Sequence, residues 1–242
     1  MTALLEVDRV DKHFSGVHAL RDVSVSIDAG GVIGVIGANG AGKTTLFSII
    51  AGALRPDRGR IRFRGEDRTG QSPNRLCAAG LARTFQIARP FPELSVLETV
   101  RIGALARLHR IAEATRDAEQ ILERFGLADK ARLHGRHLSV LERKRLELAR
   151  AYATRPTLLL LDEVAAGLRP TEVDTLVRMV REITDEGITV VMIEHVLSAV
   201  FALARRVVVL DQGRKIADGA PMEVARDRAV VEAYLGTGYA AA

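Results

Sequence analysis

The sequence has little cysteine and few aromatic residues: Cys77 is its one cysteine, tryptophan is absent, and aromatics make up 4% of the 242 residues. A single cysteine excludes an internal disulfide framework and a cysteine-based metal site, and it agrees with a reducing compartment. No apolar run approaches the roughly 18 residues that a membrane-spanning helix needs, and residues 1–6 lack the basic and apolar segments of a signal peptide. We therefore expect a soluble, intracellular protein.

The charge balance does not indicate a nucleic-acid partner. Lysine and arginine total 35 and the net charge is +5, but the arginines are scattered and the densest cluster is Arg143-Lys144-Arg145. Aromatic side chains that could stack on bases are also scarce. Hydrophobic residues at 48% and charged residues at 27% are instead typical of a folded globular protein.

Short apolar runs alternate with helical patterns along much of the chain. Val32–Ile36 is a compact apolar strand, and a glycine-rich turn and a helix from Lys43 to about residue 51 follow it. Leu158–Leu161 and Ile188–Ile193 are further buried strands, with a helix between them that begins near Pro170 and stops at Gly187. This alternation predicts a mainly parallel sheet with helices on both faces.

Other segments differ from this pattern. Residues 4–10, 23–27 and 60–64 alternate like half-exposed strands, residues 207–217 indicate a hairpin, and residues from about 90 to 153 are helical in character, with an amphipathic helix over 113–125. We expect one α/β core, over about 1–87 and 154–242, that carries an antiparallel β subdomain and a helical insertion over about 88–153.

A phosphate-binding loop is the strongest motif. The pattern G-x-x-x-x-G-K-[ST] lies between the predicted strand and helix, and its residues are Gly37, Ala38, Asn39, Gly40, Ala41, Gly42, Lys43 and Thr44, followed by Thr45. Glycines let the backbone curl so that its N–H groups point at phosphate oxygens, and the helix N-terminus adds positive potential. Lys43 can reach the β- and γ-phosphates, and the Thr44 hydroxyl can complete a Mg²⁺ shell. The motif indicates a P-loop NTPase core.

Two further strand ends carry polar residues that suit phosphate hydrolysis. Asp162 and Glu163 follow the leucine strand, where Asp162 can hold Mg²⁺ and Glu163 can orient or deprotonate a water that attacks the γ-phosphate. His195 follows the next strand at the same predicted sheet edge and could bind the γ-phosphate. Gln86 is a weaker candidate, because most glutamines are surface residues.

These motifs, in this order, resemble the nucleotide-binding subunit of an ATP-binding cassette (ABC) transporter, and the likeness covers nearly the whole chain as a single domain over 1–242. Within that superfamily, residues 83–86, 165–168, 193–195 and 232–236 are similar to the branched-chain amino-acid importer ATPases. The resemblance implies ATP and Mg²⁺ as ligands, hydrolysis of ATP, and transport of branched-chain or other hydrophobic amino acids.

The resemblance also implies roles for particular residues and for partners. Phe14 would stack on adenine, although a buried apolar side chain is the plainer interpretation; Gln86 would sense Mg²⁺ and the membrane partner, and His195 would be the switch histidine. Two such subunits would sandwich two ATP molecules at the inner face of the cell membrane. The helical segment would dock transmembrane permease subunits, which a periplasmic binding protein would serve.

The family signature Leu-Ser-Gly-Gly-Gln or Leu-Ser-Tyr-Gly-Gln is altered here. Residues 138–142 read Leu-Ser-Val-Leu-Glu, and in the family this segment caps the ATP of the partner subunit. Ser139 remains and predicts a capping box with Glu142, but Leu141 places a branched side chain where backbone must approach phosphate, and Glu142 adds negative charge near an anion. We therefore favour a heterodimer with a second ATPase that has an intact signature, while a homodimer stays open.

Three other functions stay open. A cassette ATPase acting on nucleic acid or ribosomes usually has two cassettes or a long coiled coil, whereas here there is one phosphate loop and 52 residues separate Gln86 from Ser139. The altered signature could indicate a regulatory cassette with little catalysis, although Glu163 and His195 are present. Within transport, a lipopolysaccharide-export ATPase is the nearest alternative, and residues 83–86 favour the importer.

Overall fold

A six-stranded sheet forms the centre of the molecule. The computed structural model describes residues 3–84, 91 and 93–235. The strands of this sheet lie in the order β10-β9-β3-β8-β7-β6, and they are β3 (Val32–Ile36), β6 (Leu81–Arg83), β7 (Leu158–Asp162), β8 (Thr189–Ile193), β9 (Ala204–Asp211) and β10 (Arg214–Gly219). All neighbours are parallel except β10, which pairs with β9 as the predicted hairpin. The mainly parallel sheet is confirmed.

Both faces of this sheet are covered, which explains the continuous apolar runs. Every residue of β3, β7 and β8 is buried. Within β7, Leu159 and Leu161 belong to one hydrophobic core, while Leu158 and Leu160 belong to the other. Alternate side chains of one strand point to opposite faces, so a strand buried on both faces is apolar at successive positions, and the polar residues Asp162 and Thr189 stand at strand ends.

An antiparallel sheet covers one face together with helix α1 (Lys43–Ile50). Its strands are β1 (Leu5–Phe14), β2 (Val17–Ile27), β4 (Arg58–Phe63) and β5 (Glu66–Asp67), in the order β2-β1-β4-β5. The strands predicted over 4–10 and 23–27 were too short, because β1 and β2 form one long hairpin. Arg9 and Asp22 have positive φ angles of 47° and 52°, and shifts of register follow Val7 and Val10, so the regular alternation of apolar residues is broken.

The remaining helices cover the other face and build the region between the two halves of the core, while α2 (Pro73–Ala78) packs on the same side as α1. The helices of the other face are α3 (Val96–Leu105), α4 (Ile111–Arg124), α5 (Val140–Ala153), α6 (Pro170–Asp185), α7 (Leu197–Leu203), α8 (Pro221–Val224) and α9 (Arg228–Leu235). Helix α3 packs against both α4 and α5, as expected of a helical insertion. In the described part of the chain, every helix is too short or too polar to span a lipid bilayer.

Candidate nucleotide site

The phosphate loop is curled as the sequence predicts. It joins β3 to α1, and Gly37, Gly40 and Gly42 have φ angles of 152°, 80° and 101°. Two of these glycines are also required by space: a Cβ at Gly37 would lie 2.1 Å from the carbonyl oxygen of Leu210, and one at Gly42 would lie 2.5 Å from that of Ala19. The neighbouring strands β9 and β2 therefore leave no room for a side chain at Gly37 and Gly42.

Lys43 lies inside its own loop. Its ammonium Nζ donates hydrogen bonds to the carbonyl oxygens of Gly37 at 2.8 Å and Ala38 at 3.0 Å, and the residue is 5% exposed. Burial lowers the pKa of Lys43, and the nearby carboxylates of Glu163 and Asp162 oppose this effect in part. The loop therefore carries a positive charge where a phosphate group would lie.

The loop forms one wall of an open cleft of about 540 Å³. Glu163 and His195 also line the cleft, so the structure brings these two candidates together with Lys43. Further lining residues come from the β1–β2 hairpin and from the turn between β9 and β10, and they are Gly16, Val17, His18, Ala19, Arg21 and Gln212. A cleft of this size can hold a nucleotide.

Glu163 and His195 contact each other just beyond the carboxyl ends of β7 and β8. His195 Nε2 lies 2.9 Å from Glu163 Oε1, and the Glu163 backbone N–H donates to the Ile193 carbonyl at 2.9 Å. Glu163 has a positive φ of 49°, which turns the chain sharply after the strand and directs its carboxylate toward the cleft. The ammonium group of Lys144, on α5, donates a hydrogen bond to the Glu163 carbonyl at 2.9 Å.

The two described candidates for metal binding offer oxygen atoms. Asp162 is 1% exposed, and its Oδ2 accepts a hydrogen bond from Arg83 at 2.7 Å, while Thr44 is exposed at the start of α1. Residues 3–84, 91 and 93–235 contain no group of three His, Cys, Asp or Glu side chains that could hold a metal ion by themselves. A hydroxyl and a carboxylate fit Mg²⁺, which proteins commonly bind together with substrate phosphates. Gln86 lies outside the described residues.

Comparison with known proteins identifies the family. A family model described as "ABC transporter" matches residues 20–166, more than half of the chain. The chain belongs to the ABC transporter family. A second family model, "Branched-chain amino acid ATP-binding cassette transporter", matches residues 214–240 of this ABC ATPase.

The similarity of this ABC ATPase to named relatives extends over nearly the full length of both chains. It is 34% identical to the high-affinity branched-chain amino acid transport ATP-binding protein BraF of Pseudomonas aeruginosa, over 96% of this chain and 98% of that protein. It is 32% identical to the protein LivG of the same description from Escherichia coli, with the same coverage. A crystal structure of a nucleotide-free ATP-binding cassette from an ABC transporter superposes with a TM-score of 0.88 at 32% identity, over 96% of this chain and 99% of that one.

The segment at the signature position of the ABC ATPase forms the predicted capping box. Ser139 precedes α5, its hydroxyl accepts from the Glu142 N–H at 3.3 Å, and the Glu142 carboxylate accepts from the Ser139 N–H at 2.7 Å. That hydrogen bond is the largest cause of the lowered pKa of Glu142. A carboxylate of this chain therefore occupies a helix N-terminus that could otherwise bind phosphate.

Phe14 is not among the described residues that line the cleft of this ABC ATPase, although its strand partner Val17 is. Phe14 is 41% exposed, and the Lys12 ammonium lies 5.5 Å from the ring centroid. Among the described residues, those that line the cleft include Val17 and His18 but not Phe14. Its stacking on adenine stays a prediction.

The sequence did not predict the residues that the β1–β2 hairpin and the β9–β10 turn contribute to the cleft. Gly213 joins these two segments to the loop, since its N–H donates to the Ala41 carbonyl at 3.1 Å and its carbonyl accepts from the Arg21 N–H at 2.7 Å. The hairpin that carries Gln212 was predicted, but its position beside the phosphate loop was not. Gln212 and Gly213 have positive φ angles of 44° and 79°, and this turn allows the close approach, but the sequence does not indicate which part of the fold the turn approaches.

Proposed function

We propose that this chain hydrolyses ATP to drive import of branched-chain or other hydrophobic amino acids, acting at the cytoplasmic face of the cell membrane. One observation carries the proposal: the similarity to BraF and LivG extends over almost the full length of this chain and of each relative. The match of the C-terminal region to the branched-chain family model supports it independently.

The proposed chemistry assigns a role to each candidate residue of the nucleotide site. The N–H groups of residues 37–44 and the Lys43 ammonium bind the β- and γ-phosphates of ATP. Thr44, Asp162 and Gln86 would hold Mg²⁺, which supplies charge neutralisation at the phosphate oxygens when bound. Glu163 accepts a proton from water as the water oxygen attacks the γ-phosphorus, and the bond to the β-phosphate oxygen breaks to leave ADP and phosphate.

His195 has a supporting role in this scheme. Its Nε2 lies 2.9 Å from the Glu163 carboxylate, so the imidazole can orient Glu163 before ATP binds. Because His195 also lines the cleft, it can donate a hydrogen bond to a γ-phosphate oxygen once ATP is present.

The assembly that we propose is asymmetric. ABC ATPase subunits of importers work with transmembrane permease components, and the helical region over about 88–153 is the proposed docking region. Leu141 and Glu142 at the start of α5 would serve the nucleotide of a partner poorly, because a side chain and a carboxylate stand where phosphate must approach. We therefore favour a heterodimer with a second ATPase, supplied with amino acid by a periplasmic binding protein.

Uptake measurements test the proposed function. The gene is deleted in its host, and uptake of radiolabelled leucine, isoleucine and valine is compared with uptake of ribose. We expect uptake of the three amino acids to fall while ribose uptake stays unchanged, and we expect the parent gene but not Lys43→Ala to restore it. Unchanged amino-acid uptake together with a defect in the outer-membrane lipopolysaccharide would favour the export alternative instead.

A further inference from the structure

Arg83 makes a buried ion pair with a residue that the proposed mechanism assigns to the metal. Arg83 ends β6, and β6 pairs in parallel with β7, so the arginine lies beside the end of the strand that carries Asp162. Arg83 Nη2 lies 2.7 Å from Asp162 Oδ2, and the side chains are 11% and 1% exposed. Separating the two side chains would leave an uncompensated buried charge, so the pair is expected to stay together.

The second arm of the guanidinium reaches the helix that follows the phosphate loop. Arg83 Nη1 donates to Ser48 Oγ at 3.1 Å, and Ser48 Oγ donates to the Thr44 carbonyl at 2.7 Å. Arg83 therefore connects Asp162 to the turn of α1 that carries Thr44. These are the two described residues that would hold Mg²⁺.

The two carboxylate oxygens of Asp162 differ in their surroundings. Oδ2 accepts a hydrogen bond from Arg83, whereas Oδ1 is buried and has no hydrogen-bond partner within the described ranges. The Asp162 backbone is also held, because its N–H donates to Thr84 Oγ1 at 3.2 Å. A buried carboxylate oxygen without a partner is unfavourable, and a divalent cation or its bound water would satisfy it.

We propose that Arg83 is a positioning residue for the metal: it holds Asp162 so that Oδ1 is presented to Mg²⁺, and it keeps Asp162 in register with Thr44. This proposal rests on the proposed function, because it requires that Asp162 binds the metal of Mg-ATP. Outer-shell partners of ligating carboxylates orient the ligand and tune its affinity in this way. Arginine suits the task because its planar fork can bond two partners in fixed directions, which a lysine ammonium does not do.

The test measures the affinity of the protein for a metal ion and does not depend on ATP turnover. Mn²⁺ binding to the full-length protein with saturating ATP is measured by electron paramagnetic resonance, and binding of a fluorescent ATP analogue is measured separately in EDTA. The variants are Arg83→Met, Arg83→Lys and Asp162→Asn, with Arg75→Met as a matched control because Arg75 is exposed on α2.

We expect Arg83→Met to weaken Mn²⁺ binding by about 10- to 100-fold and to leave nucleotide binding in EDTA unchanged. Arg83→Lys keeps the charge but loses the planar guanidinium, so its Mn²⁺ affinity should lie between those of Arg83→Met and the parent. If Arg83→Met does not fold, Arg83→Lys provides the test. Arg75→Met should match the parent in both measurements.

Three results would overturn the proposal. Parental Mn²⁺ affinity in Arg83→Met and Arg83→Lys, with Asp162→Asn impaired, would show that Arg83 does not position the ligand, while the metal site itself stands. If Arg83→Met weakens nucleotide binding in EDTA as much as it weakens Mn²⁺ binding, Arg83 supports only the fold. Parental Mn²⁺ affinity in Asp162→Asn would contradict the proposed metal site, and the role of Arg83 would fall with it.

Discussion

Glu194 is a buried carboxyl group whose titration should be visible in the stability of the protein. It lies between β8 and His195, is 1% exposed, and its Oε1 accepts a hydrogen bond from the Ala165 N–H at 2.7 Å. Burial raises the pKa of Glu194 to about 7, while the Ala165 hydrogen bond and the Lys144 charge oppose this rise. Glu194→Gln removes the titration and keeps an oxygen that can accept from Ala165.

The magnitude follows from the rise in pKa. Between pH 4.5, the ordinary value, and about 7, the folded state holds a proton that the unfolded state has released. The stability that Glu194 contributes is therefore fully present below pH 4.5 and is lost as the pH rises through 7. A rise in pKa of this size corresponds to about 3 kcal/mol, of which about 2 to 3 kcal/mol should be lost between pH 5 and pH 8.

Urea denaturation across this pH range measures the effect. The free energy of unfolding is determined for the parent, for Glu194→Gln and for Glu119→Gln, a matched control at an exposed position of α4. The parent should lose about 2 to 3 kcal/mol relative to Glu194→Gln between pH 5 and pH 8, and Glu119→Gln should follow the parent. A difference between parent and Glu194→Gln that stays constant over this range would refute the reasoning.

Two further predictions concern turnover. Glu163→Gln should keep Mg-ATP binding but lower ATP turnover by about 100-fold or more, because a general base is removed; parental turnover in a phosphate-release assay would exclude Glu163 as the base. Leu141→Gly combined with Glu142→Gln should raise the turnover of the isolated chain about tenfold, because backbone donors then reach the nucleotide across a dimer. Unchanged turnover would remove the steric and electrostatic argument for a heterodimer, and so would brisk cooperative hydrolysis by the unaltered chain.

The central strands could be predicted from the sequence because burial on both faces leaves a direct signal. The bounds of β3 agree with the predicted Val32–Ile36, and β7 extends the predicted strand by one residue, to Asp162. The helix bounds near Pro170 and Gly187 were also predicted, since proline and glycine mark helix ends by their backbone preferences. The β1–β2 hairpin was not, because its bulges interrupt the alternation on which the prediction depends.

The candidate site could be predicted only where a motif carries it. The phosphate loop, Asp162, Glu163 and His195 could be proposed as candidates because each lies at or just after the end of a strand at the same edge of the sheet. The Arg83–Asp162 pair joins residues 79 positions apart, and such a contact depends on which strands become neighbours. Arg21 and Gln212 reach the cleft from a second sheet and a distant hairpin, and local sequence carries no signal of that packing.

The most direct test of the account is the binding of Mg-ATP by Lys43→Ala. The Lys43 ammonium lies in the curl of residues 37–44, within 3.0 Å of two loop carbonyls, so a bound phosphate would meet it at short range. Hydrogen bonds to charged groups contribute about 1.5–3 kcal/mol, and we therefore expect calorimetric titration to show an affinity at least about tenfold weaker than that of the parent. Parental affinity in a correctly folded Lys43→Ala protein would contradict the assignment of this loop as the nucleotide site.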